Sequence, residues 1–278
     1  WMDVYGEESF TSGKWNFEIP VKKQGSIEHS VDKKFTVDGF PIEVKKLIFA
    51  PTITIIQYRF MPPTGDKYMN DLFFEGIQTK KKKAEPTLFG WSVPIPSENG
   101  QYTTFQAAFD SLYFEKPKEM NLHVNSLYYT KNEPLKVEID INKPFPQTFE
   151  YQGSTITIDK IELDSPTKIE LTAEMNEGRK FESLHFEILG RNNSMPMSMG
   201  MMDSDGVYVD QNGKIYNLDE IDQSAYMNTI ENPRYYQTKV SLEVMGEDLS
   251  EEFIPSWLQI HGYSGTTFLD EEIQIKVN

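Results

Sequence analysis

FTVDGFPIEVKKLIFAPT, residues 35–52, and FEYQGSTITIDKIELDSPT, residues 149–167, carry the same pattern twice. In the first copy Phe35 to Val37 reads as a strand, Asp38-Gly39 as a break, and Ile42 to Phe49 as a second strand ended by Pro51. Gly39 matches Gly153, Ile42 matches Ile156, Val44 matches Ile158, and Lys46 matches Lys160. Leu47 and Phe49 match Ile161 and Leu163, and one extra residue precedes Pro166, the counterpart of Pro51. A repeated block of this kind points to duplication of a structural unit.

Working outward, the same grammar continues through Ile53–Phe60, Leu72–Ile77, Phe105–Phe109, Leu122–Tyr129 and Leu135–Ile141. Upstream, Trp15, Phe17 and Ile19 alternate with polar residues, the period of a half-buried strand. Asp110 to Tyr113 reads as a short turn and Asp219 to Tyr226 as a helical turn. The ends of the two copies also correspond. Leu122-His-Val-Asn followed by Leu135, Val137 and Ile139 parallels Leu258-Gln-Ile-His followed by Ile273, Ile275 and Val277. Short strands with turn signals and no interleaved helices predict antiparallel sandwiches. Two prolines in Asn142-Lys-Pro-Phe-Pro-Gln place the boundary there, giving domains 1–143, truncated at its start, and 144–278. The second carries inserted material around 191–236, with a hairpin of Val207–Val209 and Lys214–Tyr216 about Asn212-Gly213.

Composition narrows the function. Aromatics form 13% of the chain, suiting pleated surfaces. Lys and Arg number 27 against 43 Asp and Glu, a formal charge of -16, and that field repels phosphate backbones. Nucleic acid is therefore not an expected partner. Without cysteine there is no disulfide, thiolate nucleophile or Cys-ligated zinc. No apolar run is long enough to span a bilayer, and the initial Trp1 suggests a processed or truncated chain with any anchor upstream.

Candidate chemistry is sparse. His29, His123, His185 and His261 lie far apart, with no nucleophile motif, and read as strand-surface residues. Glu7-Glu8, Glu251-Glu252 and Glu271-Glu272 point to opposite strand faces and do not form glycosidase pairs. No enzyme activity and no cofactor are expected. Asp203, Asp205 and Asp210 suggest calcium, yet lack the third ligand and closing Glu of a Ca²⁺ loop, so turn-making is preferred. Met195, Met197, Met199, Met201 and Met202 form an array whose soft thioethers suit Cu(I). The same spacing describes flexible methionines buried as gap-fillers, which is the preferred reading. Lys80–Lys83 reads as a solvated loop tip. Trp91, Tyr128-Tyr129 and Tyr235-Tyr236 are candidates for a sugar-binding face or for core.

GKWNFEIPV, residues 13–21, then Asp38-Gly39 with Ile42, Val44 and Lys46, then Pro51-Thr52 before an Ile-rich strand, resemble a family of Gram-positive extracytoplasmic domains. The family is the domain of unknown function 4179 type, which follows one transmembrane helix in anti-sigma-factor-like proteins. The resemblance covers Gly13 to about Phe60, and the second half looks like the companion immunoglobulin-like domain. It implies an all-β fold of two tandem immunoglobulin-like antiparallel β-sandwich domains related by internal duplication. It also implies a non-catalytic sensing region on the outer face of the membrane, held by an upstream span. The expected partner is an envelope ligand or protein of unknown identity. A wall-polymer or carbohydrate module is the alternative, with a Met-rich copper protein as a third.

Overall fold

In a computed structural model the described residues are 24–60, 65–87, 92–95, 104–217, 230, 232–246 and 252–277. The Trp15–Ile19 strand, Trp91 and the Asp219–Tyr226 turn lie outside them. All the extended elements are antiparallel strands, arranged in three sheets around two hydrophobic cores.

The first repeat block folds as β1 (Ile27–Val37), β2 (Phe40–Phe49) and β3 (Ile53–Phe60). The second folds as β9 (Gln147–Tyr151), β10 (Ser154–Glu162) and β11 (Thr167–Ala173). Both hairpins turn on two residues with positive φ, Asp38-Gly39 and Gln152-Gly153. That backbone twist matches the twist of paired strands, and glycine takes it at little steric cost. Both second strands then bulge at the same place, between Val44 and Lys46 and between Ile158 and Lys160.

The first outer sheet runs β1-β2-β3-β7-β6, with β7 Thr104–Asp110 and β6 Val93–Ile95. The second runs β9-β10-β11-β15-β13-β14, with β13 Ser198–Val209, β14 Ile215–Asn217 and β15 Arg234–Met245. β13 and β14 are thus strands of the sheet, not an appendage, and the hairpin read from Asn212-Gly213 forms its rim.

A central sheet serves both cores, in the order β12-β16-β8-β4-β5. β4 is Lys67–Gln78, β5 Lys83–Ala84 and β12 Ser183–Gly190. β8 (Glu119–Glu138) and β16 (Pro255–Lys276) are single strands of 20 and 22 residues, paired along almost their whole length. At about 3.3 Å per residue each spans roughly 65 Å. The sequence divided each into two strands. Pro134 falls where the β8–β16 register shifts, between Asn132 and Leu135, so its missing N–H breaks no regular pairing.

The two long strands exchange ends. Leu122 and Val124 of β8 belong to the first core, whereas Leu135 and Val137 pack on the second. Conversely Leu258 and Ile260 of β16 lie in the second core and Ile273 and Ile275 in the first. A boundary at 143/144 therefore divides the chain but not the packing. Tyr129 packs against both cores, so both lie on one face of the central sheet. Its neighbour across the ladder is Gly265, where a Cβ would sit 2.9 Å from the Tyr129 hydroxyl. Lys67 stands 4.0 Å over the Tyr129 ring and pairs with Asp38 at 2.7 Å, pinning the first hairpin turn to this seam. Burial pushes the Tyr129 phenol up to about 12, so it stays a neutral donor at any physiological pH.

Candidate functional site

The two cores differ in how the central sheet ends. Beside the first, β5 adds to β4 through Ile77↔Ala84 and Gln78↔Lys83. The turn between them is built by Thr79, whose Oγ1 accepts the Lys81 and Lys82 amides and whose own amide donates to the Lys82 carbonyl. The chain then crosses to the outer sheet, with Thr87 N–H donating to Ala108 O at 2.8 Å and Asp110 N–H to Glu85 O at 2.9 Å. Ala84 is fully buried by this closure. The lysine run is the tip of that turn, with Lys80 on Glu119 and Lys83 on Glu75.

Among the described residues, no strand of the central sheet lies outside β12 beside the second core. After a 3-10 turn at Arg191–Asn193, closed by Gly190 N–H to Ser194 O at 2.9 Å, the chain goes wholly to the outer sheet. There β13 pairs with β15 on one side, while β14 covers only Val207–Val209 on the other. Among the described residues, 198–206 of β13 therefore form an edge of the outer sheet. A cleft of the second core lies between β12 and β15, lined by Leu184 and Phe186 of the one and by Gln237, Thr238 and Val240 of the other.

Of the five methionines of the sequence array, Met199, Met201 and Met202 lie on this edge and Met195 and Met197 just before it, and all are exposed, from 37% for Met199 to 62% for Met202. Their reading as buried gap-fillers is corrected: among the described residues, no strand of the central sheet covers that part of β13. Met199 and Met201 pair with Val244 and Leu242, whose side chains are in the core, so both thioethers stand on the inner face. Met197 continues the run, its N–H donating to Met245 O at 2.9 Å. Gln237 Nε2 donates to Met201 Sδ at 3.7 Å.

The root of the flank is held by Arg179, which sequence reading missed. Its guanidinium donates to four carbonyls, those of Ala173, Phe181, Glu182 and Gln237, at 2.6–3.2 Å. It also lies 4.2 Å from the Phe181 ring centre. One side chain thus ties the entry of β12 to β11 and β15. Burial lowers its pKa to about 10, still far above neutrality, so the clamp is cationic. Glu182 beside it accepts the Thr266 amide and hydroxyl, and burial raises its carboxyl above the usual range despite those bonds. No local motif marks these residues, because carbonyl partners leave no trace in sequence.

The remaining candidates disperse. Asp203 and Asp205 are exposed on β13, whereas Asp210 is buried in the rim turn. Its carboxylate accepts the Asn212 and Lys214 amides and the Tyr216 hydroxyl, which holds its pKa down and gives it the turn-making role. Among the described residues no group of three His, Asp or Glu side chains is arranged to hold a metal. His185 Nε2 and Ser264 Oγ are 2.5 Å apart, a pair the sequence did not suggest. Ser264 is buried within the ladder and also meets Thr130 Oγ1 at 3.3 Å, and burial with the nearby His261 lowers the pKa of His185. The ring partner of His261 is Glu187, at 3.2 Å. Glu272 accepts a hydrogen bond from Asn121. Tyr236 is buried, Tyr235 packs over Gly206, and Tyr129 fills the seam, so these rings do not make an exposed platform.

No family model matches the chain, and no curated protein matches it. Among solved structures it is similar to the crystal structure of the conserved domain protein from Bacillus anthracis. The identity is 9% and the TM-score 0.23, over 90% of this chain and 92% of that one.

Proposed function

We propose that the chain is a non-catalytic binding region that captures an extended segment of a partner protein at the open flank of the second core. The observation that carries this is that, among the described residues, no strand pairs with the outer edge of β12, while the methionines of the neighbouring outer-sheet edge are exposed. Exposed sheet edges accept added strands, main-chain bonds giving affinity and side-chain pockets giving selectivity. The molecule contains its own example of the occupant. β5 adds to the edge of β4 in the first core, and an external strand beside β12 would complete the second core in the same way.

The shared strand order β1-β2-β3-β7 and β9-β10-β11-β15, with matched turns and bulges, supports two immunoglobulin-like sandwiches related by duplication. The resemblance of residues 13–60 to anti-sigma-factor-like domains supports a place on the outer face of a membrane, anchored by an upstream span. A photo-crosslinking residue at position 204 of the full-length protein in protoplasts tests the flank. A discrete protein adduct absent from a position-33 control is expected; the same adducts from both positions would overturn the reading. Protease shaving of the same protoplasts tests the side of the membrane. Digestion from outside is expected, and protection until lysis would refute it.

A further inference from the structure

We propose that Met195, Met197, Met199, Met201 and Met202 form a thioether site for a soft monovalent cation, Cu(I) or its analogue Ag(I). The inference rests on reading the flank as a binding surface, but it needs no protein partner.

The composition of the run comes first. MPMSMGMM, residues 195–202, contains no Val, Ile, Leu or Phe, although β10 and β15 of the same sheet are built on β-branched residues and leucine. A wall required only to be apolar is better made from β-branched side chains, which favour strands. They also lose less rotamer freedom than methionine on being covered. What methionine adds is sulfur, a polarizable donor on a side chain with three rotatable bonds.

Placement comes second. Period-two spacing and the pairing with Leu242 and Val244 set Met199 and Met201 on one face, and Met195 and Met197 lie immediately before the start of the strand. Alternate residues of a strand lie roughly 7 Å apart, a gap that two thioether side chains can close from both ends. Met202 enters at the bulge between Met201 and Asp203. Exposure of all five lets a cation reach them without unfolding the strand. Met201 Sδ is turned towards the amide of Gln237 in the cleft, so a lone pair is already presented to a polar group.

The chemistry comes third. Neutral thioethers leave the bound ion with its single positive charge, which Asp203 and Asp205 on the same strand offset. Binding exchanges solvent or chelator ligands for sulfur lone pairs, with no change of oxidation state and no proton released. Soft donors favour Cu(I) over hard Ca²⁺ or Mg²⁺.

The test is titration of the whole chain with Ag(I), and with Cu(I) buffered by a competing chelator without oxygen. Wild type is expected to retain about one ion per chain, undisplaced by excess Ca²⁺. Replacing the five methionines with leucine keeps the apolar wall and removes the sulfur, and the seven other methionines of the chain stay as an internal control. Affinity is expected to fall by at least about tenfold, with the circular dichroism spectrum unchanged. Wild type that retains no ion, or a leucine variant that binds as well, would overturn the site. The position-204 adduct in the leucine variant separates the two readings. Its persistence alongside lost metal leaves peptide capture standing, and its absence from wild type with metal retained leaves only the cation site.

Discussion

The first core closes the edge of its half of the central sheet with β5, and among the described residues the second leaves the corresponding edge bare. Fully buried Ala84, the Thr79 turn and the crossing hydrogen bonds at Glu85 and Thr87 seal the former. In the latter, the chain leaving β12 spends its whole length on the outer sheet as β13, and the inner face of that strand looks onto solvent. Among the described residues, the same outer strand order thus accompanies one sheet edge closed by a strand and one that is not. A bare edge invites unwanted pairing, and charges on the edge are a usual defence. Here Asp203 and Asp205 lie next to the methionines, so the edge is guarded for part of its length and apolar for the rest.

An open flank survives only if its root is held independently, and Arg179 is the residue that holds it. Arg179→Ala is expected to have the largest effect, about 4 kcal/mol in urea denaturation. It removes a buried guanidinium and leaves four carbonyls to find other partners. A loss below about 1 kcal/mol would mean that β12 is held by the β16 ladder alone, and the contrast between the two cores would weaken.

Next in size is a methionine from the closed side. Met120 of β8 is 1% exposed in the first core. Met120→Ala should cost about 3 kcal/mol through lost burial and a residual cavity. It sets the scale for a methionine that is packed as a gap-filler.

A third effect belongs to the closed core and depends on pH. Asp71 on β4 accepts the Leu72 amide, and Tyr58 donates to Ser92 close by. Burial raises the Asp71 carboxyl from 3.8 to about 6. Because the native state holds this proton more tightly than the unfolded chain, the associated stability is present at low pH and is lost as pH rises through about 6. Asp71→Asn should therefore match wild type near pH 4 and exceed it by up to about 2 kcal/mol at pH 7.5. Parallel denaturation profiles at both pH values would show that solvent reaches this carboxyl, and that the first core is less closed than its partner strands imply.

Much of the fold was legible because it is local. Gly39 and Gly153 fix the paired turns, and alternation placed β2, β3, β7, β10 and the rim hairpin within a few residues, while of β1 it caught only the last three. The long strands were not legible, because Asn132-Glu133-Pro134 carries the marks of a loop and only pairing with β16 turns it into a bulge. The site was half legible. Spacing put Met199 and Met201 on one strand face, but it could not show that Met195 and Met197 precede the strand or whether another sheet covers that face. Coverage depends on where β12 ends the central sheet, which no neighbouring residue encodes. Arg179 was invisible for the related reason that its partners are backbone.

The smallest expected effect is the most discriminating. Met201→Ala removes a side chain of the same kind as Met120→Ala, from a residue that is 54% exposed. Little apolar surface returns to water and no enclosed cavity forms, so the cost should stay below about 0.5 kcal/mol. Should Met201→Ala instead approach the loss at Met120, this edge of β13 must be covered in solution, and the second core would be as closed as the first. A near-zero value leaves five methionines exposed at no benefit to folding. Their presence then has to be explained by what they bind, since packing no longer accounts for it.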